Sequence, residues 1–250
     1  MKLLVLSLFF SHLSFGAISN NWYTEDAFLD RENIYASLLR FRSEIPVTSF
    51  VSPYVTFGSD LQTPTSQISN VTASSYAFGG PGVKLNYLNA QLFSELRGRA
   101  YYQGNQNQKL LDARVLLAMG KYSDIALAEG RSLLGFYELY SETLYTSADE
   151  NNVIEAAYAR TGFRKPVLKE LFIDSYVEPF FALDRVGHFY NNLVDLKLSL
   201  RFLYAIPGFS FSLTGSYLFN AYLDQATFEN NPYRDQHSGF KILLVAGGTF

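Results

Sequence analysis

The residues able to do chemistry are few, and most are charges. Asp235-Gln236-His237 sets an acid and an imidazole two apart, the spacing of a carboxylate that could orient a general base. A larger set recurs at every other position: Glu95, Arg97 and Arg99; Asp112 and Arg114; Glu138 and Glu142; Glu155; Asp174 and Glu178; Asp195, Lys197 and Arg201. On extended chain that period puts each group on one face. The chemistry of such a face is electrostatic. In water it sets ion preference, and in a closed interior it must pair off. Other chemistry is missing. There is no cysteine, hence no disulfide, thiolate zinc site or thiol nucleophile, and histidine occurs only 3 times. No P-loop, GxGxxG or HExxH occurs, so neither a cofactor nor a metal is expected. Gly79-Gly80-Pro81-Gly82 opens no helix and reads as a turn or smooth wall. A net charge of −3 gives no electrostatic case for nucleic acid.

The elements that carry these charges alternate with period two. Between Asn192 and Tyr204, Val194, Leu196, Leu198, Leu200, Phe202 and Tyr204 oppose Asp195, Lys197, Ser199 and Arg201. Between Gly208 and Tyr222, Phe209, Phe211, Leu213, Gly215, Tyr217 and Phe219 oppose Ser210, Ser212, Thr214, Ser216 and Asn220. Residues 109–120 set Leu111, Ala113, Val115, Leu117 and Met119 against Asp112 and Arg114. Residues 90–102 set Leu92, Leu96 and Ala100 against Gln91, Glu95, Arg97 and Arg99. A soluble sandwich would turn the apolar face into a core; a membrane barrel turns it to lipid and encloses the polar face. The segments exceed the roughly 9–11 residues that span a bilayer, whereas soluble strands average about 5–6. Full charges of both signs at mid-strand suit an enclosed wet lumen. The membrane barrel is therefore expected.

Residues 1–17, MKLLVLSLFFSHLSFGA, read as a secretory signal peptide: Lys2, an apolar run from Leu3 to Phe10, and a small-residue exit at Gly16-Ala17. Ser11, His12 and Ser14 cut the run short of the roughly 20 residues of a spanning helix. At the other end, Phe240, Ile242, Leu244, Ala246 and Gly248 share a face with Phe250. A last strand ending in an aromatic residue resembles the sorting signal of Gram-negative outer-membrane β-barrel proteins. The resemblance implies that Phe250 is read by the barrel-assembly machinery and that the protein resides in the outer membrane. Gly248 stands where that signal often carries a second aromatic. Asp235-Gln236-His237 is similar to the Asp-x-His element of omptin proteases, but the Asp-x-Asp that accompanies it is absent. His188-Phe189-Tyr190 lacks the serine of the outer-membrane phospholipases. The chain is read as no enzyme, with a rim hydrolase as the remote alternative. Residues 174–184 and 191–204 resemble the terminal barrels of exopolysaccharide-export and phage-adsorption proteins.

Ten strands are expected, at 47–58, 75–88, 90–102, 109–121, 132–146, 152–163, 168–182, 190–205, 208–222 and 238–250, with twelve if a pair hides in 122–131. Residues 18–45 form a periplasmic tail in this reading, with a helix within 24–43 capped by Asp30 and carrying Tyr35, Leu38 and Leu39. The same residues also fit a strand that sets Tyr35, Ser37, Leu39 and Phe41 against Arg40 and Arg42. The barrel occupies 46–250, with longer loops such as 59–74 and 223–237 outside. Tyr and Phe near strand ends, including Tyr54 and Phe57, Tyr101 and Tyr102, Tyr140 and Tyr145, Phe180 and Phe181, Phe189 and Tyr190, and Phe219 and Tyr222, are expected in interfacial girdles. Function divides between a small porin-like channel for ions or solutes, a saccharide among them, and a non-conducting structural or adhesion barrel closed by ion pairs. Arg97 and Arg99 are the expected selectivity pair.

Overall fold

In the computed structural model, the described residues are 18–29, 34–64, 75–101, 110–126, 132–147, 151–185, 192–222 and 238–250. They form twelve strands: β1 (Ser19–Leu29), β2 (Ile34–Glu44), β3 (Val51–Pro64), β4 (Tyr76–Tyr87), β5 (Ala90–Tyr101), β6 (Leu110–Ala126), β7 (Ser132–Thr146), β8 (Asn152–Pro166), β9 (Leu171–Asp184), β10 (Leu193–Ile206), β11 (Phe209–Tyr222) and β12 (Ser238–Thr249). Each pairs antiparallel with the next, and β1 pairs with β12 to close the ring. Strands of 11 to 17 residues are long enough to cross a bilayer.

Two expectations change at the N-terminal side. Residues 19–29 and 34–44 are β1 and β2, so the helix expected within 24–43 is not formed there and the barrel starts well before residue 46. The physical reason is the edge rule: without this hairpin, β3 and β12 would each face lipid with an unpaired row of backbone N–H and C=O groups. β1 pairs with β12 from Asn21↔Thr249 to Leu29↔Lys241, and β2 pairs with β3 from Ile34↔Pro64 to Glu44↔Tyr54. The same hairpin makes the count twelve. The described residues of the 122–131 region form no extra pair: they continue β6 to Ala126, and β7 starts at Ser132. Residues 1–17, Asp235 and His237 lie outside the described residues.

The two faces separate cleanly. On β10, Leu196, Leu198, Leu200 and Phe202 are 41 to 47% exposed, while Asp195 and Ser199 on the opposite face are 5% and 8% exposed. The same outward apolar belt holds Leu117 on β6, Leu139 on β7, Val177 on β9, Leu213 on β11 and Ile242 on β12. A continuous apolar outer surface of this extent is stable in lipid and not in water, and the polar face is enclosed. The fold is a transmembrane up-and-down β-barrel.

At the rim where β1 starts and β12 ends, two hairpins are tight. Leu88 and Asn89 join β4 to β5, and Pro207-Gly208 joins β10 to β11. Gly208 has φ 78°, the position after proline in a type II turn. Phe250 donates its N–H to the Asn20 carbonyl at 3.0 Å, tying the end of β12 to the start of β1. Trp22, paired across from Gly248, lies where a Cβ on Gly248 would come within 2.7 Å of its indole nitrogen. An aromatic ring thus covers the spot where the last strand lacks one, supplied by β1.

The girdle expectation holds in part. Phe57, Tyr145, Phe181 and Phe219 face outward and are exposed. Tyr54, Tyr140 and Phe180 turn inward instead: Tyr54 is 4% exposed, and Tyr140 and Phe180 line the lumen. Each has a charged inward partner to meet, Glu95, Glu142 and Lys197 respectively. The side chains of Tyr101, Tyr102, Phe189, Tyr190 and Tyr222 lie outside the described residues.

Candidate functional site: the charged lumen

Strand parity decides which charges meet. β5 turns Glu95, Arg97 and Arg99 inward, beside Asp112 of β6. Arg97 Nη2 donates to Asp112 Oδ2 at 3.3 Å, and Arg99 Nε donates to the same oxygen. Asp112 is fully buried, so two guanidinium groups converge on one carboxylate in a dry corner. Glu95 accepts from the Tyr54 hydroxyl at 3.1 Å and lies 3.5 Å from Arg97 Nε. On the next strands, Arg114 grips Glu142 through Nε and Nη2, and Tyr140 donates to the same carboxylate.

Two further clusters continue around the wall. Arg160 donates to Glu138 at 2.7 Å and to Glu178 at 2.6 Å, and Lys197 donates to the other Glu178 oxygen at 2.7 Å. Arg164 binds both oxygens of Asp174, at 2.8 and 2.9 Å, and Arg201 Nε reaches Asp174 Oδ2 at 2.8 Å. Asp174 is fully buried. Aromatic rings back the cations: Arg160 lies 4.7 Å from the Tyr176 ring centroid and Arg164 4.9 Å from that of Tyr122. Lys84 pairs with Glu44 across β3. Asp195 is buried on the inner face of β10.

The lumen charges named from the sequence are therefore brought together, with one correction. Glu155 is exposed on the outer face. Asn152 and Arg160 have the opposite parity and face inward, Asn152 to Asp184 and Arg160 to Glu178. The first half of β8 carries Val153, Ile154, Ala156 and Ala157, apolar on both faces, so it offers no contrast from which to read parity. Arg160 and Arg164 were missed for that reason; their spacing of four, against Asp174 and Glu178 also four apart, was the available signal. Arg40, Arg42, Glu44 and Lys84 were missed as lumen residues with the β1–β2 hairpin.

One close approach lets the network form. Tyr54 on β3 bonds Glu95 on β5 by crossing β4 at Gly82, whose absent Cβ would stand 2.3 Å from the Tyr54 ring. Gly82→Val is expected to displace the ring, break the Tyr54–Glu95 bond and cost about 1–3 kcal/mol through overpacking. Urea unfolding of the refolded barrel, followed by Trp22 fluorescence, measures it; an unchanged midpoint would show that the ring relaxes freely.

The centre of the barrel encloses a cavity of about 890 Å³, lined from every strand except β3. Its β6–β10 side carries Arg114 with Glu142, and Arg160, Glu178, Lys197 and Arg201. Its β11–β12 side carries Ser212, Thr214, Ser216, Leu243 and Val245. The described ion pairs of the barrel wall join strands one or two apart, and none crosses the cavity.

An apolar-belted, closed ring of twelve strands around a polar lumen has the fold of the outer-membrane β-barrel proteins. LpxR from Salmonella typhimurium is similar at a TM-score of 0.52 and 7% identity, covering 92% of this chain and 99% of that one. An outer-membrane channel from Pseudomonas putida F1 matches at 0.52 and 10% identity, over 95% and 97% of the two chains. The β domain of the Bordetella autotransporter BrkA matches at 0.50 and 10%, over 95% and 100%. No protein-family model matches, and no curated protein sequence does.

Proposed function

We propose that the protein is an outer-membrane channel passing small hydrophilic solutes, with no catalytic step. The observation that carries this reading is the central cavity of about 890 Å³ together with the lateral course of the ion pairs. Charges that pair along the wall stabilise the strands against one another and leave the axis unbridged. A barrel shut by ion pairs would need bonds running across it, and the described pairs do not. Placement in the outer membrane is supported by the shared fold and the lipid-facing belt, and this reading assigns β12 with Phe250 to recognition by the barrel-assembly machinery.

The site of selectivity shifts in this reading. Arg97 and Arg99 are drawn against Asp112 and are absent from the cavity lining, so neutralising them would act on stability more than on current. Planar-bilayer recording of the refolded full chain tests the proposal. Discrete conductance steps in potassium chloride are expected. Silence at every voltage, from protein shown to be folded by heat-modifiable gel mobility, would favour the closed structural or adhesion barrel instead.

A further inference from the structure

The cavity lining holds eight basic side chains and four acidic ones, and two of the basic ones, Arg40 and Arg42, are neighbours on β2. Arg40 and Arg42 are two residues apart on one face of that strand, so their Cα atoms stand roughly 7 Å apart. The Nε atom of each is buried without a hydrogen-bond partner. Neither guanidinium forms an ion pair with a described residue. The carboxylates nearest them have other partners: Glu25 accepts from Tyr23, Glu44 pairs with Lys84, Glu95 meets Tyr54 and Arg97, and Glu142 meets Arg114 and Tyr140. Aromatic faces hold the two planes in place. Arg40 lies 5.6 Å from the Phe78 centroid, and Arg42 lies 4.8 Å from Tyr54 and 4.6 Å from Phe93. A ring face supports a guanidinium but accepts no N–H in its plane and cancels no charge.

Burying an unpaired cation is costly, and two neighbouring ones repel each other as well. Every other described arginine on the inner wall has a carboxylate. We infer that Arg40 and Arg42 form an anion subsite inside the lumen, which takes a small solute bearing a carboxylate or a phosphate group. Both arginines line the cavity and are backed by rings, and a guanidinium fork so supported binds oxyanions in bidentate fashion. The inference rests on solute entering the lumen, as proposed above, but makes a separate demand: the lumen must prefer anions, and must do so through β2.

The test uses the refolded full chain, with inorganic phosphate and gluconate as probes so that the two acid groups are compared directly. Titration calorimetry is expected to show saturable millimolar binding of at least one probe. Arg40→Gln/Arg42→Gln should weaken it by about tenfold or more, as expected when charge-assisted bonds are lost. Arg40→Lys/Arg42→Lys should fall between, because lysine keeps the charge without the fork. In bilayers under a potassium chloride gradient, the wild-type reversal potential should report a preference for chloride, which drops by about threefold in the glutamine variant. Equal binding by wild type and the glutamine variant would overturn the inference, as would wild type that binds neither probe. Conductance without anion preference or binding removes the subsite and leaves the channel. Binding without conductance removes the channel and leaves the subsite. If the double glutamine variant fails to fold, Arg42→Gln alone is compared, and the wild-type measurements still decide.

Discussion

Asp174→Ala is expected to destabilise the barrel by about 3–5 kcal/mol, the cost of removing one partner from a buried ionic cluster. Asp174 is fully buried, and it holds Arg164 through two bonds and Arg201 through a third. Its removal leaves two guanidinium groups side by side, with like charge and unmet donors. Urea unfolding in lipid vesicles, followed by the single tryptophan, Trp22, gives the number. Replacing all three together, Asp174→Leu with Arg164→Met and Arg201→Leu, should recover most of the loss, since a packed apolar cluster stands in well for an ionic one. The pairing argument fails if the single change costs less than about 1 kcal/mol, the value of a hydrated surface pair. Such a result would mean that water reaches the cluster freely.

Leu198→Arg is expected to cost about 2–4 kcal/mol, the penalty for a cation at the bilayer midplane of a barrel. Leu198 sits near the middle of β10, 47% exposed, beside Val177 and Tyr217 on the neighbouring strands. In water this would be an ordinary surface change, within about 0.5 kcal/mol of neutral. The comparison therefore reads the solvent directly. Folding yield into vesicles, scored by gel mobility before and after heating, should drop alongside stability. Leu198→Arg as stable as wild type would contradict a lipid-facing β10. The two substitutions probe opposite sides of one wall, and the sign of each depends on which side is dry and which is lipid.

The legibility of this chain varied with contrast between faces. On β10, where leucine alternates with Asp195, Lys197, Ser199 and Arg201, one residue in two carries the assignment and the structure agrees throughout. On β8, alanine and aliphatic residues occupy both faces, and the lone Glu155 pointed parity the wrong way. On β2, the choice between helix and strand could not be made locally, because Tyr35, Leu38 and Leu39 satisfy a helical stripe while Arg40 and Arg42 satisfy a strand. Closure made that choice: β3 and β12 needed partners, and the β1–β2 hairpin met both edges at once.

The alternation of apolar and charged residues by itself determined the membrane barrel, its antiparallel neighbours and most of the enclosed charges, since period two is a property of each strand alone. The tertiary structure decided what depends on ring closure: twelve strands, the pairing of Asp174 with Arg164 and Arg201, and the inward turn of Tyr54 over Gly82. It also revealed Arg40 and Arg42 as a lumen pair with no ion pair to a carboxylate among the described residues. Which cation meets which anion is set by register between strands, and register is fixed only when the last strand finds the first.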